Sequence, residues 1–370
     1  IQISKLLPLA LDHPQASAPF SLDLDDRGEL LVTGSVDGRL VLSDLNPRGR
    51  RVQIETAESE RVWKVAVAPD ASHVAALWHS GILKLWETSL DSGGEAKQIA
   101  ELAVFEQATR YRYPFGAMLK FSARGDRLFA SGGGHGSVLL DTGGEVLTRL
   151  DPPGGNFFSV TAAWSTKGDR LFFARGKELL VLRAEDGAAI DSFELPHEIK
   201  SLAVDADPAV LWVGGDSKEI GRFELDGGSY SRVAEPSGAQ LHFETPQIAA
   251  IHRSAESDRL AYSTATSAFV EVLTADADVI WTSDFLGGRM GEPVEVLLSP
   301  NGRWLWYAWK SGAIRSGVVD LESGQEFRTP IWTRSPKLAG SRVVWLAGRG
   351  VVAFDAESGR ELWHRIDLEN

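Results

Sequence analysis

The chain has 370 residues, 43% of them apolar and 24% charged, a balance that excludes intrinsic disorder and provides for a large core. It holds no cysteine, which excludes disulfides, thiolate metal centres and cysteine nucleophiles. Its 51 acidic residues outnumber 38 basic ones, and the net charge of −13 weighs against nucleic acid as a partner, because such a surface repels phosphate.

In chain order, one pattern recurs. A polar turn at 25–28 precedes a β-rich run at 30–33, a second run at 40–42 and another turn at 46–49. Turn 69–72 leads to a run at 82–86 and turn 91–94. Turn 123–127 leads to runs at 128–130 and 138–140 and turn 142–144. Turn 166–170 leads to runs at 171–173 and 179–182 and turn 185–187. Turn 205–208 is followed by a run at 210–213 and turn 226–228, and turn 256–259 by the glycine-free turn 275–278. Turn 300–303 precedes a run at 304–307 and turn 322–324; turn 340–342 precedes runs at 343–346 and 351–354 and turn 357–359. Aspartate and glycine suit these places because tight turns need positive φ or side-chain bonds to the backbone. No helical stripe of period 3.6 interrupts the pattern.

The repeat of about 40–50 residues matches a four-stranded propeller blade. One blade cannot cover its two apolar faces, whereas blades in a ring cover each other. The reading is an all-β chain forming a single closed β-propeller of four-stranded antiparallel blades, with eight blades and seven as the alternative. One domain spans 1–370, with units at 12–58, 59–114, 115–155, 156–197, 198–245, 246–292, 293–334 and 335–370. A further strand is expected at 3–11, ahead of the first unit. No run approaches 18 apolar residues, so no membrane-spanning helix is expected, and no secretory leader is visible.

Several segments resemble WD repeats. The stretch from Ser35 through Asp37 and Gly38 to Ser43-Asp44 is similar to the segment that ends in the family's Trp-Asp pair, with Ser43 in the tryptophan's place. Residues 80–87 are similar, ending in Trp86-Glu87, and 65–70 and 296–302 match the family's strand-and-turn entry. The resemblance places Asp37 where the family's aspartate bonds a histidine. No unit carries the full Gly-His, Asp and Trp-Asp set, and His135 follows Gly134 in a different turn, so the family's hydrogen-bond network is absent or replaced. The last unit, 351–363, is similar to quinoprotein-type repeats, with Trp363 as a wedge between blades. The resemblance implies a rigid platform for protein or peptide partners.

Catalytic and metal constellations are missing from the sequence. The eight histidines show no HExxH spacing, and His73 and His79 stand at opposite ends of one strand, too far apart to share a metal. The glycine-rich stretch 132–136 precedes a strand rather than a helix, which favours a turn over a phosphate cradle. Acidic clusters at 23–26, 205–207 and 276–278 match no full calcium loop and coincide with turns. No catalytic residue, metal ligand or cofactor is therefore assigned.

Long connections between blades are more informative. One carries Arg110, Tyr111, Arg112, Tyr113 and Phe115, a second carries Phe157, and a third carries Trp281, Phe285 and Arg289. Aromatic residues and arginine are enriched at protein contacts, so these nine are the candidate partner-binding residues. Trp63, Trp164, Trp304 and Trp306 lie within strand patterns and are expected to stack between blades. The functional expectation is a non-catalytic protein- or peptide-binding scaffold, sensor or interaction module, without membrane insertion, in the cytoplasm or alternatively the periplasm, standing alone or as part of a larger bacterial signalling or assembly system. Two alternatives are a propeller enzyme, either a Ca-dependent hydrolase or lactonase or a quinone-dependent dehydrogenase, and a periplasmic assembly scaffold.

Overall fold

A computed structural model describes residues 19–45, 51–54, 60–89, 95–105, 117–132, 136–150, 160–205, 210–216, 220–226, 228–234, 248–254, 256–264, 269–274, 278–283, 294–309, 316–328, 333–339, 341–347 and 350–365. The strand expected at 3–11 lies outside them. Every regular element among the described residues is a strand.

The first blade comprises β1 (Pro19–Leu24), β2 (Leu30–Ser35), β3 (Leu40–Asp44) and β4 (Arg51–Ile54). The second comprises β5 (Val62–Val67), β6 (His73–Trp78), β7 (Ile82–Ser89) and β8 (Glu95–Ala103). The third holds β9 (Ala117–Phe121), β10 (Arg127–Gly132), β11 (Ser137–Asp141) and β12 (Val146–Leu150). The fourth holds β13 (Val160–Trp164), β14 (Arg170–Arg175), β15 (Glu178–Arg183) and β16 (Ala189–Glu194). The fifth is β17 (Ile199–Val204), β18 (Val210–Gly215), β19 (Ile220–Glu224) and β20 (Ser229–Ala234). The sixth is β21 (Ile248–Arg253), β22 (Leu260–Thr264), β23 (Val270–Leu273) and β24 (Val279–Thr282). The seventh is β25 (Val294–Leu298), β26 (Trp304–Trp309), β27 (Gly317–Asp320) and β28 (Gln325–Arg328). The eighth is β29 (Thr333–Ala339), β30 (Arg342–Ala347), β31 (Gly350–Asp355) and β32 (Glu361–Arg365).

Each blade is a four-stranded antiparallel sheet in sequence order, so the chain is all-β with eight propeller blades. The eighth has four strands of its own, the first of them the seven-residue β29. The blades group into two compact units, Pro14–Ser192 and Phe193–Leu368, with the division inside β16.

Burial explains why the middle strands read as continuous apolar runs rather than alternating ones. β2 and β18 are buried almost throughout, because neighbouring blades cover both faces, whereas the outer strand β16 is mostly exposed. In the first unit, Leu30, Val32, Leu40 and Leu42 of blade one pack on Val62, Val65, Val74 and Trp78 of blade two. Phe129 and Phe173 meet edge to face at 5.7 Å between blades three and four. In the second unit, Trp304 and Trp306 pack with Val343, Val352 and Phe354 of blade eight. Trp63 joins the cluster between blades two and three, and Trp164 packs between blades three and four. All four of these tryptophans thus lie between blades.

Side chains also tie first strands together, because their outer edges would otherwise leave backbone groups unmet. The Val65 N–H donates to Ser21 Oγ at 3.1 Å, and the Val67 N–H to Asp23 Oδ2 at 3.0 Å. Trp164 Nε1 donates to the Lys120 carbonyl at 3.2 Å, while Lys120 Nζ reaches the Ala162 carbonyl at 3.2 Å.

The turn between first and second strands is one repeated device. In blade four the Ser165 carbonyl accepts from the Gly168 N–H, and the Ser165 N–H donates to the Arg170 carbonyl, both at 2.9 Å. The third turn residue has positive φ: 68° at Gly168 and 61° at Ala71, the one non-glycine positive φ among the described residues. A Cβ on Gly168 would stand 3.0 Å from the Arg124 backbone nitrogen. Gly168→Ala should therefore cost about 1–2 kcal/mol. Ala71→Gly should stay within about 0.5 kcal/mol, because relieved strain offsets the loss of a buried methyl worth about 0.8 kcal/mol. Urea unfolding of the two variants checks this contrast, and equal effects at both turns would refute it.

Candidate partner-binding face

In an antiparallel four-stranded blade, the turn between strands two and three shares an end with the start of strand one and the finish of strand four. The connections to neighbouring blades therefore leave from the same end as that turn. Arg110, Tyr111, Arg112, Tyr113, Phe115, Phe157, Phe285 and Arg289 belong to such connections and lie outside the described residues. Trp281 is described, and it sits within β24 rather than in the connection after it. Its half-buried ring stacks on Tyr307 of blade seven at 6.4 Å. Its run of Val279, Ile280 and Trp281 favours strand, and the large ring fills the gap between two blades.

At this end of blade two, in the unit Pro14–Ser192, the root of the long connection is well defined. Phe105, its first residue, is buried and turns inward. Its ring lies 5.9 Å from that of Trp63, and Trp63 meets His79 edge on at 4.7 Å. A Cβ on Gly132 would collide with the Phe105 ring, so glycine there permits the approach. The Val104 N–H donates to the Gly81 carbonyl at 2.9 Å, and the Arg149 guanidinium reaches the carbonyls of Ala103 and Val104 at 3.4–3.5 Å. The connection thus starts from a fixed anchor.

Beside this anchor, the His79 N–H donates to the Arg61 carbonyl at 3.0 Å. The Arg61 guanidinium lies over the Phe20 ring of blade one, 4.7 Å from its centroid. Phe20, Arg61 and His79 are all partly exposed. Neither Phe20 nor Arg61 stood out in the sequence, because each lies alone at the edge of a strand pattern.

At the same end of blade five, in the unit Phe193–Leu368, a backbone lock ties the segment before β17 to the turn after β18. The Glu198 N–H donates to Asp216 Oδ1 at 3.1 Å, and the Asp216 N–H to the Glu198 carbonyl at 3.2 Å. Lys200 Nζ pairs with Glu198 Oε2 at 2.6 Å. In blade one, Asp37 accepts from the Ser35 hydroxyl and pairs with Arg39 at 3.4 Å.

The acidic turn residues serve the backbone. Buried Asp25 accepts from the N–H groups of Arg27, Glu29 and Leu30. A hydrogen bond from the Ser165 hydroxyl holds Asp169 below the usual carboxylate range, and the Ser358 hydroxyl does so for Asp355. Burial raises Asp70, but hydrogen bonds from Ser72 outweigh it and the net direction is down. Asp26 is pushed up by burial and by the charges of Asp25 and Asp23. Asp205 accepts from Trp212 Nε1 at 3.0 Å and pairs with Arg253 at 3.4 Å. Among the described residues, no three His, Asp or Glu side chains converge as a metal site, and no helix is long and apolar enough to cross a membrane.

No protein-family model matches the chain. Actin-interacting protein 1 of Drosophila melanogaster is 19% identical over 357 residues, covering 91% of this chain and 51% of that protein. The chain thus spans about half the length of this curated relative. Among solved structures, Sqt1 of Chaetomium thermophilum bound to the N-terminus of ribosomal protein L10 aligns with a TM-score of 0.65 and 15% identity, covering 92% of this chain and 97% of that one. The C-terminal WD40 domain of Sif2 aligns with a TM-score of 0.67 and 14% identity over 91% of this chain and 96% of that one. The Cps50 (Swd1) propeller domain of Myceliophteria thermophila gives 0.55 and 16% over 80% and 95%. Eight sequential four-stranded blades, together with these alignments, give the chain the fold of WD-repeat-like β-propellers.

Proposed function

We propose that the chain is a non-catalytic platform that binds a protein or peptide at the end of the blades carrying the long connections. The observation behind this reading is the contrast at blade two. Turn carboxylates such as Asp25, Asp169 and Asp355 are bonded into the scaffold, while Phe105 anchors a connection that continues into Arg110, Tyr111, Arg112, Tyr113 and Phe115. A connection with a fixed root displays such side chains at a low ordering cost. The Sqt1 alignment supports the reading, since that propeller is bound to the N-terminus of a ribosomal protein.

In this reading the eight blades act as one domain, no cofactor is used, and nucleic acid is disfavoured by the charge of −13. Phe157 is a further contact residue of the unit Pro14–Ser192 in this reading, and Phe285 and Arg289, which follow Trp281 of blade six, are contact residues of the unit Phe193–Leu368. The site of action is cytoplasmic, which cell fractionation with and without release of the periplasm distinguishes.

Partner capture from a mixture, compared between the native chain and Arg112→Ala with Tyr113→Ala, tests the assignment. The double variant should keep its circular dichroism spectrum and lose at least about tenfold in affinity. Unchanged capture would remove this connection from the account.

A further inference from the structure

The guanidinium of Arg61 is held in place without an acceptor. It lies 4.7 Å from the centroid of the Phe20 ring of blade one, and it makes no hydrogen bond or ion pair with any described residue, Glu60 beside it included. Stacking on the ring fixes the plane of the guanidinium and leaves its N–H donors open. Arg61 is partly exposed, so an acceptor can reach it from solvent.

The imidazole of His79 adjoins it. The His79 N–H donates to the Arg61 carbonyl at 3.0 Å, which sets the two residues side by side at the head of β5 and the tail of β6. The His79 ring meets Trp63 edge on at 4.7 Å, and its nitrogens bond no described residue. The turn that follows His79 is closed by the Gly81 N–H on the Trp78 carbonyl at 3.0 Å, and the Gly81 carbonyl accepts the Val104 N–H at 2.9 Å. Both side chains therefore stand on a fixed frame, which lowers the ordering cost of binding. Phe105, the root of the long connection, lies 5.9 Å from Trp63 and so adjoins the same spot.

A planar cation on an aromatic floor, with an imidazole beside it, matches a carboxylate. The guanidinium fork offers two parallel N–H groups to the two oxygens, and the imidazole supplies a further donor. Two features limit the fit to a single carboxylate. The chain carries −13, and Glu60 precedes Arg61, so a run of acids or a phosphate polymer is repelled. One acidic side chain in an otherwise neutral or basic segment suits both the local cation and the surrounding field. We infer that Phe20, Arg61 and His79 form a docking point for one aspartate or glutamate side chain of a neutral or basic partner peptide. This rests on the platform reading above and adds the chemistry of the contact.

The test uses random peptides displayed on phage through their C-termini, so that only side-chain carboxylates are offered, and selected on the native chain and on Arg61→Gln. The native chain should retain peptides enriched in a single acidic residue, and the variant should show no such enrichment. For a selected peptide made synthetically, changing that acid to its amide should weaken binding to the native chain about tenfold and leave binding to Arg61→Gln unchanged. His79→Phe, which keeps a ring against Trp63 and removes the donor, should weaken the same peptide about threefold. Thermal unfolding separates a packing role: Arg61→Gln should leave the midpoint within about 2 °C. A larger fall with unaltered peptide selection would assign Arg61 to covering Phe20 and overturn the inference. Peptides retained without acid enrichment, or with enrichment that survives Arg61→Gln, overturn it too and leave the platform reading intact. Retention of no peptide counts against both. A single-stranded oligonucleotide that binds the native chain and is lost with Arg61→Gln would assign the site to phosphate, which also overturns the inference.

Discussion

Replacing Tyr262 with phenylalanine is expected to destabilise the protein by about 2–3 kcal/mol, far more than the loss of one hydroxyl from a surface. Tyr262 of β22 is fully buried and stands directly opposite Glu271 of β23, itself 1% exposed. Its hydroxyl donates to Glu271 Oε2, and Thr282 Oγ1 of β24 donates to Oε1 at 3.3 Å. Burial, then the neighbouring carboxylate, raises the phenol well above its ordinary value, so it remains a donor through the alkaline range. Phenylalanine would keep the ring and strip the carboxylate of that bond in a place water does not reach. Glu271→Leu alone orphans the phenol and should cost about 1–2 kcal/mol. The double variant, with neither polar group, should lie within about 1 kcal/mol of the native chain, because removing both partners avoids leaving either unmet. Urea midpoints of the four proteins give the coupling. Simple additivity would show that the pair contributes no coupling.

Acidification should act through His252, and the expected effect reaches about 3 kcal/mol. The ring lies at the contact of blades six and seven, where its Nδ1 accepts the Leu298 N–H at 3.2 Å. Only the unprotonated nitrogen can accept, and burial pushes the pKa from 6.5 down to about 4. Between those values the unfolded chain binds a proton that the folded chain refuses. Stability from this group is complete above pH 6.5 and is lost progressively as pH falls toward about 4. His252→Asn offers an amide oxygen as acceptor and does not titrate in this range. The native chain should therefore lose about 3 kcal/mol more than the variant on going from about pH 7 to about pH 4. Carboxylates and His73 titrate in both proteins and cancel in the difference. Parallel pH curves for the two would show that His252 carries no linkage.

The repeated turn was legible because its chemistry is local. Gly168 and Gly302 mark a positive φ within a four-residue bond pattern, and the residues that impose it sit together in the chain. The tryptophans at 63, 164, 304 and 306 were legible as inter-blade packing for a similar reason, since each lies in a run with strand character. Trp281 was not, because a strand of four residues beside a glycine-rich connection leaves no pattern to separate the last strand residue from the first loop residue. Phe105 shows the same limit from the other side. Nothing near it in the chain marks it as an anchor, because the space it fills lies above Gly132 of the next blade.

The sequence by itself determined the all-β class, the blade repeat and the turn chemistry, because each follows from bonds and preferences within a few residues. The tertiary structure decided which aromatic rings are structural and which carboxylates are already bonded. Those outcomes depend on cross-strand register and on the packing of one blade against the next, and such distances are not encoded in any short stretch of the chain.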